Sequence, residues 1–216
     1  MKKLITIYLT ISVVCMLMSI LALQDSSHWY AAGWWDEQMN WEYQTLGVYG
    51  VNSVYDVYVS SQTFVAEYVA VVFPPQQGGQ QDWIECGWIK GVSVVGDTQG
   101  KIMIYWGYKD ETGYYSSFWK EVFEGESHWY KIYRGSNYWY VYSDGVLLKT
   151  VPLTYPGGLV QGASETSSDK NSMEGHFWNL KEKEPSGWWL WDSMYADADP
   201  PYWIQIINSH EFITGP

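Results

Sequence analysis

Two glutamates, Glu85 and Glu165, are the residues of this sequence best placed to carry acid–base chemistry. Glu85 lies in residues 82–108, DWIECGWIKGVSVVGDTQGKIMIYWGY, a run rich in apolar and aromatic side chains. Period-two alternation puts Trp83, Glu85, Gly87 and Ile89 on one face and Ile84, Cys86, Trp88 and Lys90 on the other. With Trp83 and Ile89 on either side, the face carrying Glu85 is expected to be covered. A buried carboxylate is unfavourable unless it is paired or protonated, so such a residue is either compensated or used. Glu165 stands in VQGASETSS, where alternation puts Ala163 and Glu165 on one face among the small residues Gly162, Ala163 and Ser164. Small neighbours leave room for water or substrate. A structural ion pair would instead want a nearby cation, and the sole arginine is Arg134. Two carboxyl groups facing each other across a groove cannot both ionise easily and tend to share a proton. The ionised one can activate a water and the protonated one can polarise an electrophile. The space around Glu165 favours it as the base, and the pair would titrate jointly. Whether the two meet is a tertiary question that spacing leaves open.

The elements that must position them are strands. Residues 47–59 alternate and are rich in Val and Tyr; residues 62–73 read as a strand from their Val, Phe and Tyr content. Pro74-Pro75-Gln76-Gln77-Gly78-Gly79 makes a turn, and strands at 82–90 and 101–108 follow, joined through Gly96-Asp97. Further strands are predicted near 114–123, 128–134, 137–142 and 146–151, the last two flanking Asp144-Gly145, the strongest hairpin signal in the chain. Others are predicted at 159–166, 173–180 and 202–208, with a linker at 181–187 and an Asp/Pro-rich loop after Trp191. No amphipathic helical pattern follows residue 25. Short strands with turns every 8–12 residues predict an all-β, antiparallel β-sandwich of concanavalin-like or jelly-roll type, in one domain. Residues 25–45, with no clear period, read as a leader or first edge strand, and 46–216 as the sandwich.

The N-terminus carries Lys2-Lys3 and then an apolar run to Leu23. Such a segment predicts export by a signal peptide spanning residues 1–24, with a retained anchor facing outside as the alternative. A membrane partner is implied only in the second case. Cys15 falls in that segment, so the remainder holds a single thiol, Cys86, and no internal disulfide; its apolar face makes it a core thiol. Net charge is −12 with 12 Lys plus Arg, which disfavours nucleic acid as a partner.

Other chemistries find little support. The histidines His28, His128, His176 and His210 are scattered, and no cysteine cluster accompanies them, so zinc is not expected. Asp192, Asp197 and Asp199 lack the alternation of a calcium loop. No G-x-S-x-G elbow and no phosphate-cradling glycine loop occurs, and no cofactor is implied. Aromatics make up 19% of the chain, more than a core needs. Most of them, Trp119 and Trp178 included, belong to the core; Trp88, Trp106 and Tyr108 are the candidates for gripping substrate in a groove. Two rival readings remain at this point. One is a carbohydrate-binding module with an aromatic platform, the other a glycoside hydrolase with two carboxylates.

Four stretches bear on the choice. WIECGW at 83–88 is similar to an I-E-A-G-W motif, and GDTQGKIMIYWGYKDETGYY at 96–115 to a G-D…Y-W-T-x-D-x-x-x-T-G-C-Y-N run. QGASETSSDKNSMEGHFWNL at 161–180 is similar to a G-G-E strand followed by M-G-S-G-H-F and a closing N-L; LGVYGVNSVYDVYV at 46–59 matches more weakly. In this order the motifs resemble the neprosin family, secreted glutamic peptidases on a β-sandwich. The resemblance implies an acid endopeptidase acting on polypeptide, with Glu85 and Glu165 as its catalytic glutamates. It also has departures. Gly113-Tyr114-Tyr115-Ser116 replaces G-C-Y-N, so the family's disulfide is absent, and Ala163-Ser164-Glu165 replaces G-G-E. The long activation domain of plant members is missing, so neither self-maturation nor their proline preference carries over.

Overall fold

The computed structural model describes residues 28–35, 45–75 and 81–216; the apolar segment 1–24, with Cys15, lies outside them. In chain order, β1 is Trp29–Trp34, β2 Gly47–Ser53, β3 Phe64–Val72, β4 Trp83–Ser93 and β5 Gly96–Asp110. Next come β6 Gly113–Val122, β7 Ser127–Arg134, β8 Trp139–Ser143, β9 Val146–Val151 and β10 Leu159–Thr166. The last five are β11 Gly175–Glu184, β12 Gly187–Leu190, β13 Tyr195–Ala198, β14 Trp203–Asn208 and β15 Glu211–Gly215.

These strands form two antiparallel sheets, and the described residues contain no helix, as the sequence pattern predicts. One sheet has the order β13-β1-β10-β3-β4-β5-β6; the other runs β14-β15-β11-β2-β7-β8-β9, with β12 added on β11. The Asp144-Gly145 hairpin forms as expected. Both residues have positive φ (49° and 84°), the backbone twist that a tight two-residue turn between β8 and β9 requires.

Three sequence expectations need correction. The segment assigned to a leader or edge strand supplies β1, which is not at an edge: it pairs with β10 on one side and β13 on the other. Residues 181–184 are not linker but the end of β11, paired with β12 through Lys181↔Leu190 to Glu184↔Gly187. Finally, the Asp/Pro-rich loop contains β13, and β15 was not anticipated. In each case the missing signal is the partner strand, because short polar strands are stabilised by ladder hydrogen bonds that no local period announces.

The two sheets bury a common core. Ile84, Cys86 and Trp88 of β4 and Ile104 of β5 pack against the layer of Tyr130, Ile132, Trp139 and Val141. Trp88 satisfies its indole N–H on the Ser53 carbonyl at 3.0 Å. Burial pushes the Cys86 thiol up, away from thiolate, in keeping with its place in the core. The odd-numbered residues of β4 point out of this core, and they include Glu85.

Candidate active site

The outer face of the seven-stranded sheet carries a cavity of about 1090 Å³. Its floor is built from residues that are small where adjacent strands cross. Register pairs Glu165 with Ala66, Ala163 with Tyr68, Tyr68 with Gly87, Ala70 with Glu85, and Glu85 with Gly107. Because in-register partners share a face, Glu165 of β10 and Glu85 of β4 project into the same trough with β3 between them. Both line the cavity. The sequence pair therefore does come together, one carboxyl toward each end of the same floor.

Glu165 is met by three polar groups. His28 Nδ1 lies 2.6 Å from Oε1, the Tyr30 hydroxyl donates to Oε1 at 3.1 Å, and the Tyr68 hydroxyl donates to Oε2 at 2.9 Å. Burial pushes the Tyr30 and Tyr68 phenols up, and the charge of Glu165 adds to this, so both remain donors. These contacts orient the Glu165 carboxyl, with both phenol hydroxyls donating to it and the imidazole beside them. Asp199 accepts the Tyr30 backbone N–H at 3.0 Å and so helps fix β1 against the site.

Glu85 is in the opposite condition. Burial is the main cause and the charge of Glu165 the second in pushing its pKa up to about 8; hydrogen bonds from Tyr114 and Trp83 offset this only in part. The Tyr114 hydroxyl donates to Glu85 Oε1 at 2.6 Å. This bond passes over Gly107, where an added Cβ would stand 2.8 Å from Glu85 Oε1 and collide with the Tyr114 hydroxyl. Gly107→Ala is therefore expected to disconnect Tyr114 from Glu85 while leaving the opposite core face of β5 intact. The check is a structure of the variant with an activity assay: activity should fall at least tenfold, and a variant that keeps both bond and rate would refute the assignment.

Trp88, Trp106 and Tyr108 do not line the cavity. Trp88 is fully buried in the core, Tyr108 is buried beside it, and Trp106 packs against the same cluster. The reason is parity: Trp88 is three residues from Glu85, and Trp106 precedes Gly107, so all three face away from the trough. The cavity instead takes its aromatic walls from Tyr30, Trp34, Phe64, Trp83, Tyr105 and Tyr114. His28, immediately before β1, and Tyr30 within it stand at a spacing of two, the only local hint of their role. Tyr68 and Tyr114 gave none, since each is one tyrosine among 19.

A third acid, Glu67, lies between two floor residues but points the other way and is fully buried between the sheets. Burial chiefly, then the charge of Glu174, pushes its pKa well up; the Ser164 hydroxyl, which also bonds Thr214 at 2.8 Å, offsets this in part. Among the described residues no cluster of three or more His, Cys, Asp or Glu could hold a metal ion.

No family model matches the chain, and no curated protein matches it. Among solved structures, the fold is similar to scytalido-glutamic peptidase with a peptide-based transition-state analogue. The TM-score is 0.61 at 11% identity, covering 88% of this chain and 98% of that one. It is also similar to SCP-B, a member of the eqolisin family of peptidases, in complex with the tripeptide Ala-Ile-His. There the TM-score is 0.56 at 10% identity, covering 89% of this chain and 99% of the other. At such identities the likeness is one of fold.

Proposed function

We propose that this chain is a neprosin-like glutamic endopeptidase, a hydrolase that cuts polypeptide with Glu165 as base and Glu85 as acid, and that it acts outside the cytoplasm. The observation that carries the reading is the contrast between two carboxyls in one trough. One accepts from two tyrosine hydroxyls and faces His28 at 2.6 Å, and the other is held neutral up to about pH 8. Pairs of acids with environments that differ in this way are how a site divides base from acid work. The fold shared with two peptidases bound to peptide-like molecules supports the substrate class. Export is supported by Lys2-Lys3 and the apolar run behind them.

In this mechanism a substrate peptide lies in the trough with its scissile carbonyl between the two glutamates. Glu165 takes a proton from a water, whose oxygen forms a bond to the carbonyl carbon. Glu85 donates a hydrogen bond to the carbonyl oxygen and stabilises the negative charge that develops there. When the tetrahedral intermediate collapses, the C–N bond breaks and the proton held by Glu165 passes to the leaving amine. The hydroxyls of Tyr30 and Tyr68 keep the Glu165 carboxylate oriented, and Tyr114 does the same for Glu85.

The test is digestion of an unfolded protein by the purified chain at pH 3, 5, 7 and 9. Cleavage is expected on the acid side and is lost as pH rises through about 8, where Glu85 ionises and can no longer donate. A rate still climbing at pH 9, or folded protein that cuts nothing at any pH, would overturn the reading. The second result would return weight to a carbohydrate-binding sandwich.

A further inference from the structure

The two ends of the trough differ in how their polar groups are partnered. At the Glu165 end, carboxylate and imidazole face each other at 2.6 Å. Beyond Glu85, the next in-register row on the trough face runs Leu159, Val72, Trp83, Lys109, Tyr114, and all five line the cavity. In this row the Lys109 ammonium lies 5.0 Å from the centroid of the Trp83 ring. Lys90, Lys101 and Lys120 each reach a carboxylate at 2.6–3.1 Å, whereas Lys109, like Lys131, Lys149, Lys181 and Lys183, sits over an aromatic ring and makes no ion pair among the described residues. Its neighbour Asp110 is occupied by the turn, accepting from Thr112 and from the Gly113 N–H. Among the described residues lining the cavity, Lys109 is the only lysine or arginine.

A cation over an indole face, in a wall of Leu, Val and Tyr, is only partly compensated, since a ring quadrupole replaces little of what a carboxylate supplies. We propose that Lys109 and Trp83 form a subsite for a carboxylate of the substrate polypeptide, located past Glu85. That carboxylate can come from an acidic side chain or from the free C-terminus of the peptide. The inference rests on the peptidase reading and deepens it: the sequence preference of the enzyme is set at this end of the trough by charge, with the Trp83 ring serving as the apolar plate under the acid's methylenes.

The experiment uses matched peptides at pH 6, where an ordinary carboxyl is ionised. One pair has Glu or Gln at each internal position in turn; the other ends in a free acid or an amide. Cleavage by the full chain gives kcat and KM, and binding to the uncleaving Glu165→Gln variant gives Kd for the same peptides. The expected result is a preference of roughly ten- to a hundredfold for the carboxylate partner, carried by KM and Kd and weakened by salt. Lys109→Met, which keeps the stem on Trp83, should erase it, and Lys109→Glu should turn it toward Lys-containing peptides. The pair that shows the effect identifies the source. Equal Kd for both members of both pairs, or a preference that survives Lys109→Met, overturns the subsite. If no peptide is cleaved yet the binding preference is present and depends on Lys109, the peptidase reading fails and the carboxylate site stands.

Discussion

Glu165→Gln is expected to lower the cleavage rate by about 10²–10⁴-fold with the fold intact, because an amide cannot take a proton from water. The substitution is nearly isosteric. Tyr30 and Tyr68 meet different oxygens of Glu165, so one of them can still donate to the amide oxygen while the other must turn its hydroxyl to accept from the amide N–H₂, and the floor of the trough keeps its packing. Glu85→Gln should cost about 10²–10³-fold, since an amide N–H is a weaker donor than a carboxylic acid to the negative charge that develops on the carbonyl oxygen. The two residues act on one transition state, so their losses should not add: the double variant should be no worse than about tenfold below the poorer single one. Rates of single and double variants on one unfolded substrate, with circular dichroism to confirm the fold, provide the check. Fully multiplying losses would mean that the glutamates serve separate functions, and an active Glu165→Gln would remove it as the base.

Stability against pH is the second large effect, and its sign is unusual for an acidic protein. Burial pushes Glu85 up to about 8 and Glu182 up to about 7, and Glu67 is raised as well. The unfolded chain releases these protons near the ordinary carboxylate pKa, whereas the folded chain holds them. Their contribution is therefore complete below about pH 4.5 and is lost as pH rises through the folded values. For Glu85 alone this amounts to roughly 4 kcal/mol between pH 4.5 and 8. Asp144, held down by His128 and Lys120 against the opposing effect of burial, works the other way and loses its contribution as pH falls below its own lowered value. Tm should therefore peak near pH 4–5 and decline toward pH 8, by roughly 8–16 °C from Glu85. Glu85→Gln should leave Tm unchanged at pH 4 and raise it at pH 8, even as it removes activity. This is the pattern of a site that holds a buried acid for function at the expense of stability. Scanning calorimetry of both proteins at the two pH values decides it: a wild-type Tm that rises from pH 5 to 8, or a variant that melts lower at pH 8, would show that Glu85 is not held neutral.

Much of the site could be read from strand parity. Alternation through WIECGW gave the face of Glu85, the same rule gave Ala163 and Glu165, and Asp144-Gly145 gave its hairpin. Parity also held the correction to the aromatic assignment, since Trp88 is an odd number of residues from Glu85 and so belongs to the core. His28, Tyr68 and Tyr114 were not legible. Their contacts with the glutamates span 137, 97 and 29 residues of chain and depend on which strands are neighbours.

By itself, then, the sequence determined most of the central strands, their inward and outward faces, and the two acids that project from outward positions. These are local properties, set by a side-chain period of two and by turn chemistry within a few residues. Only the tertiary structure decided that β10 and β4 flank β3, that β1 lies inside the sheet to bring His28 and Tyr30 to Glu165, and that Gly107 leaves room for Tyr114 to reach Glu85. Strand order and register are chosen by the burial of whole faces against each other. That energy is shared across the molecule and appears in no single stretch of the chain.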